Sequence, residues 1–122
     1  MKVKIDTKEK FDVITIEEEH ISANMTEKLG ELLLSYLNAE IKNLVIKFSK
    51  VKQIDKTAAE KLCIIQQTFY DNNSSLVICE LQPEVEKFLI ENDLLEMMNV
   101  TPTESEAWDI VQLEEIEREL LE

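Results

Sequence analysis

A hydroxyl group at the amino end of a helix is well placed to carry a phosphate. In the segment Ile54-Asp55-Lys56-Thr57-Ala58-Ala59, Thr57 stands where an amphipathic helical pattern begins, near Asp55. Free amide N–H groups and the positive end of the helix dipole stabilise an anion at such a point. Thr57 is therefore a candidate phosphoacceptor. A plainer reading uses the same residues: Thr57-x-x-Glu60 fits a capping box, in which the hydroxyl only satisfies backbone amides. Asp55 competes for that role, because aspartate is an excellent N-cap. If Asp55 caps, Thr57 falls at the second helical position with its hydroxyl free. Residues 42–61 carry Lys42, Lys47, Lys50, Lys52, Lys56 and Lys61 against Asp55 and Glu60, a local +4 in a chain of net charge −13. A solvated loop with lysines guarding a strand edge explains this island as readily as a binding surface does.

Other reactive side chains point away from catalysis. His20 is the single histidine and follows three glutamates, as a surface residue at a strand end would. Cys63 and Cys79 occupy apolar positions on a helix and a strand, which suits reduced core residues of a cytosolic protein better than a disulfide or a metal site. With one glycine in the chain, no glycine-rich phosphate loop is possible. The pair Met97-Met98 and Trp108 read as packing. No cofactor and no enzymatic activity are expected. An acidic chain of this charge repels nucleic acid and anionic membranes, and no apolar run reaches membrane-spanning length.

The elements that position Thr57 follow from periodicity. At 122 residues and 44% apolar content the chain is expected to form one domain. Val3 and Ile5 alternate with polar residues, and Phe11 to Ile16 is rich in β-branched residues, so an antiparallel hairpin turning at Lys8-Glu9-Lys10 is predicted. Met25, Leu29, Leu32, Leu33, Tyr36 and Leu37 form a helical stripe, with Gly30 on its polar side. Leu44-Val45-Ile46 and Leu76-Val77-Ile78-Cys79 suit strands covered on both faces. The helix between them uses Ala58, Leu62, Ile65 and Phe69, completing a βαβ unit. Gln82-Pro83-Glu84 opens another helix, Met97 to Val100 suggests a short edge strand, and Thr103-x-x-Glu106 is a capping box for a last helix. From Glu104 to Glu122 there are eight acids and one base, Arg118. This stretch reads either as a fraying acidic tail or as a helix that docks on a partner or a second copy.

The predicted class is thus α/β, a mixed β-sheet with helical crossovers in the order β-β-α-β-α-β-α-(β)-α. In that frame three stretches resemble the STAS domain, the fold of bacterial anti-sigma-factor antagonists. "LVIKFSKVKQIDKTAAEKL", Leu44 to Leu62, is similar to the family's strand, serine-x-valine turn and isoleucine-aspartate-serine-serine-glycine helix start. "LQPEVEKFLIENDLL", Leu81 to Leu95, is similar to its proline-glutamate-valine helix. "VTPTESEAW", Val100 to Trp108, is similar to its threonine/serine-x-x-glutamate-alanine helix entry. The resemblance implies one STAS-like domain over residues 1–112, with residues 113–122 as an acidic helical extension.

It also implies a mechanism. An unmodified STAS protein binds an anti-sigma factor, usually a serine/threonine kinase of the histidine-kinase-like ATPase type, and phosphorylation at the helix start breaks that binding. Position by position, Asp55 matches the aspartate before the acceptor, Lys56 the first serine and Thr57 the acceptor. Ala58 stands where the family has glycine, and Lys47 where it often has aspartate. Partner contacts are expected from Asp55, Lys56 and Thr57, with Lys52 and Lys61 beside them, in a cytoplasmic protein that could form a homodimer. The alternative is a STAS scaffold or helper subunit of a signalling or membrane transport complex, never phosphorylated.

Overall fold

The computed structural model describes residues 1–39 and 43–121; Lys42 of the basic segment and Glu122 at the acidic end lie outside the described residues. A five-stranded sheet runs in the order β1-β2-β4-β6-β7, formed by β1 (Val3–Thr7), β2 (Asp12–Ile16), β4 (Leu44–Lys47), β6 (Leu76–Cys79) and β7 (Val100–Thr101). β1 pairs antiparallel to β2, and the remaining pairs are parallel. The mixed α/β architecture is the one expected. A second sheet of two strands, β3 (His20–Ile21) and β5 (Gln53–Ile54), was not foreseen.

The sheet is covered on both sides because its central strands are apolar at successive positions. Ile14, Leu44, Ile46, Leu76 and Ile78 face α1 (Thr26–Ser35), α2 (Lys56–Asp71) and α3 (Pro83–Glu91). Val13, Val45, Val77 and Cys79 face the other way, onto Ala107 and Val111 of α4 (Glu104–Leu121). Phe11 stacks on Trp108 with ring centroids 4.9 Å apart. Thus Trp108 packs, as expected. Burial, with Glu80 adding to it, pushes the Cys79 thiol up to about 12. Burial also raises Cys63, so neither sulfur is poised as a thiolate.

With a single glycine available, the helices end on other residues that tolerate left-handed backbone. Asn73 (φ 59°) and Asp93 (φ 56°) follow α2 and α3. In each case two amides turn back to satisfy the final carbonyls: Ser74 to Phe69 and Asn73 to Tyr70, then Leu94 to Leu89 and Asp93 to Ile90. The edge strand lies at Val100–Thr101, a little beyond the Met97–Val100 stretch predicted for it. Leu95–Met97 instead makes a 3₁₀ turn. The Thr103 hydroxyl accepts the Glu106 amide at 3.2 Å, opening α4. α4 then continues unbroken to Leu121, and Glu115 accepts from Asn43, Glu114 accepts from Asn99 and Arg118 donates to Ser75. The acidic end is thus helical to Leu121 and tied to the body of the domain through Asn43, Asn99 and Ser75.

Gly30 is buried inside α1, where α1 packs on α2. A Cβ there would meet Lys61 Cε at 2.9 Å and Nζ at 3.6 Å. That obstacle is the outer part of a flexible side chain, while glycine costs a helix interior about 1 kcal/mol relative to alanine. Gly30→Ala is therefore expected to raise stability by about 0.5 kcal/mol in urea unfolding. A loss instead would show that Lys61 is locked over the glycine.

Candidate functional site

β4 ends at Lys47 and delivers Phe48 into the core, after which Ser49-Lys50 turns the chain into β5 and α2. Gln82 ties this turn to the start of α3 by donating to the Ser49 carbonyl at 2.8 Å. β5 pairs with β3 in register, His20 opposite Gln53 and Ile21 opposite Ile54. The pairing sets Asp55 directly after β5, at the N-cap position of α2 with extended backbone.

Asp55 does not cap its own helix through its side chain. Its carboxylate reaches across to the β3 side, where one oxygen accepts from His20 Nε2 at 2.7 Å and the other from the Ala23 amide at 2.8 Å. An ionised carboxylate only accepts, so Nε2 carries the proton. The first intrahelical bond of α2 runs from the Ala59 amide to the Asp55 carbonyl. The amides of Lys56, Thr57 and Ala58 precede it and have no partner within the helix. Thr57 is the second helical residue and is exposed; it is not the N-cap, so the Thr57-x-x-Glu60 capping box does not form. Ala58 is buried in the core.

The lysines separate in space. Lys52 is exposed and lies 3.5 Å from Glu19, and Lys50 lies 3.3 Å from Glu17. Lys47 is on the α4 side of the sheet, between Glu80 and Glu104 at 3.5 Å each. Much of the local +4 is therefore balanced by acids distant in sequence. Lys56 is exposed at the first position of α2, and half-buried Lys61 leans over Gly30. A shallow cleft of about 380 Å³ brings together Lys52, Asp55 and Lys56 with Gln53, Ile54, Glu84, Val85 and Phe88. Thr57 and Lys61 do not line it. Among the described residues, no group of three His, Cys, Asp or Glu side chains could hold a metal ion.

The His20–Asp55 contact leaves only a slight signal in the sequence: two dipeptides, His20-Ile21 and Gln53-Ile54, each polar then β-branched. The contact has a pH signature. The hydrogen bond from His20, followed by that from the Ala23 amide, holds the Asp55 carboxyl below its usual value of 3.8. A depressed folded-state pKa contributes stability above the unfolded value and loses it as pH falls through the folded one. The stability difference between the native protein and Asp55→Asn is thus expected to shrink as pH falls below about 4. Urea titrations at stepped pH would show it, and a difference independent of pH would contradict it.

The sequence model of the STAS domain matches residues 2–107. Similar solved structures include an anti-sigma factor antagonist from Mycobacterium paratuberculosis, 14% identical with a TM-score of 0.77 over 91% of this chain and 93% of that one. A serine-to-glutamate variant of Moorella thermoacetica RsbS is 23% identical, with a TM-score of 0.73 over 92% and 96%. The Bacillus cell fate determinant SpoIIAA in its phosphorylated form is 13% identical, with a TM-score of 0.64 over 90% and 99%. Among curated proteins, none matches in sequence. No described helix is long and apolar enough to cross a membrane.

Proposed function

The chain belongs to the STAS domain family, and from that premise we propose that it is an anti-sigma-factor antagonist switched by phosphorylation of Thr57. Unmodified, it binds an anti-sigma factor that is itself a serine/threonine kinase of the histidine-kinase-like ATPase type. Asp55, Lys56 and Thr57 are the centre of the contact, with Lys52 and Lys61 at its margins. The observation that carries this reading is the exposed Thr57 at the second position of α2, ahead of the helix's first intrahelical bond. The folds shared with an antagonist and with a phosphorylated SpoIIAA support it.

Asp55 has a positioning role in this scheme. By turning to His20 and Ala23 it leaves the first turn of α2 uncapped by any side chain of its own. A phosphate on Thr57 adds about −1.5 to −2 charges and three acceptor oxygens, which the helix end and Lys56 accommodate in the free protein. A close-fitting partner must strip water from that charge or meet it with its own carboxylates, so the fold persists while binding is lost. The test is incubation with the kinase and ATP, peptide mass spectrometry, and comparison of binding before and after. The expected result is phosphate on Thr57 and weakened binding. Undiminished affinity of the phosphorylated protein would overturn the proposal.

A further inference from the structure

The second half of α4 presents an apolar ridge away from the rest of the protein. Leu113 and Ile116 are each 52% exposed, Leu120 is 79% exposed and Leu121 is 86% exposed. At spacings of three and four, Leu113, Ile116 and Leu120 share one helical face. That face lies opposite Ala107 and Val111, which are fully buried against the sheet. A helix with one core-facing stripe needs no second, and this second stripe is unpartnered in the single chain.

Its surroundings specify the occupant. Glu117 and Glu119 are exposed on either side of the ridge, and Glu106 and Asp109 precede it on the same face. The one cation of α4, Arg118, is turned back to donate to Ser75 at 3.2 Å. A second copy would bring the same carboxylates and no free cation from its own α4, to a chain already at −13. Anionic membranes are repelled for the same reason. We propose that this ridge docks a partner protein through a basic amphipathic helix, whose apolar stripe covers Leu113, Ile116 and Leu120 while flanking Lys or Arg side chains meet Glu117 and Glu119. This surface is on the opposite side of the sheet from α2, so it serves a partner distinct from the one switched at Thr57.

The probe is a synthetic helical peptide with a leucine stripe flanked by lysines, titrated into the whole protein at about 0.15 M salt, near physiological ionic strength. The native protein is expected to bind it at least tenfold more tightly than a Leu113→Gln, Ile116→Gln, Leu120→Gln variant. Amide NMR shifts should be confined to residues of α4 and its edges. A Glu117→Lys, Glu119→Lys variant, which leaves the ridge intact, is expected to lose affinity to a similar degree, and Thr57→Glu to lose none. Equal affinity of the native and glutamine proteins would mean charge attraction alone and would overturn the proposal. So would a native dimer in sedimentation that the glutamine variant dissolves, because the ridge would then belong to a second copy.

Discussion

Thr57→Glu is expected to weaken binding to the proposed anti-sigma partner roughly ten- to hundredfold, and Thr57→Ala to leave it intact. An unmatched polar or charged group forced dry at an interface costs about 1–3 kcal/mol, and 1.4 kcal/mol is about a factor of ten in Kd. Glutamate carries one charge and two oxygens where phosphate carries more of both, so its effect is the lower bound for the modification. Stability is the control that separates regulation from structure. An N-cap hydroxyl replaced by alanine costs about 0.5–2 kcal/mol. Thr57 is instead the second residue of α2 and exposed, where alanine is the better helix former by a few tenths of a kcal/mol. Thr57→Ala should therefore unfold at the same urea concentration as the native protein or slightly higher. Calorimetric titration of both variants with the partner, set beside their unfolding curves, reads the two effects independently. Equal affinity of the glutamate and alanine proteins would remove the switch and favour a scaffold.

The chain's pattern made its layers legible and its site only partly so. Leu44-Val45-Ile46 and Leu76-Val77-Ile78-Cys79 are apolar without alternation, and both faces of those strands are indeed covered, Ile46 and Ile78 by one layer of helices and Val45 and Val77 by α4. Such a run reports burial on two sides by itself. β3 and β5 have two residues each, too few to show any period, and their pairing joins positions 33 apart. Asp55 illustrates a second limit. Its type suited an N-cap, and it does occupy that backbone position, but its carboxylate was free to choose between the amides of α2 and a histidine 35 residues away. The lysine island illustrates a third. Charge summed along the chain gave +4, yet Glu17, Glu19, Glu80 and Glu104 return through space to meet Lys50, Lys52 and Lys47. Exposed pairs of this kind are worth about 0–1 kcal/mol each, so they alter the surface potential more than the stability. The positive character left near Thr57 rests chiefly on Lys56, Lys61 and the helix end itself.

The same turn that aims the site also makes it vulnerable from beneath. Phe48 is 1% exposed at the end of β4, and its amide donates to the Cys79 carbonyl while its own carbonyl accepts from Val51. The ring therefore anchors the connection from the sheet to β5 and on to Asp55. Phe48→Ala is expected to cost about 3–5 kcal/mol, the transfer energy of the ring plus the cavity it leaves. A single domain has about 5–15 kcal/mol in total, so the melting temperature should drop by roughly 10–20 °C. Phe48→Leu keeps most of the volume and should cost less than about 1.5 kcal/mol. Urea unfolding with an unchanged m-value would assign the loss to the native state. Partner binding supplies the second readout. If the ring acts only by keeping the β4–β5 turn in place, affinity of the folded Phe48→Leu protein should be unaltered, and any loss for Phe48→Ala should follow its unfolded fraction. A Phe48→Ala protein that loses under about 1 kcal/mol, less than any well-packed aromatic core residue, would show that the turn is held by its hydrogen bonds, with Gln82 and the β3–β5 pair as the real supports of the site.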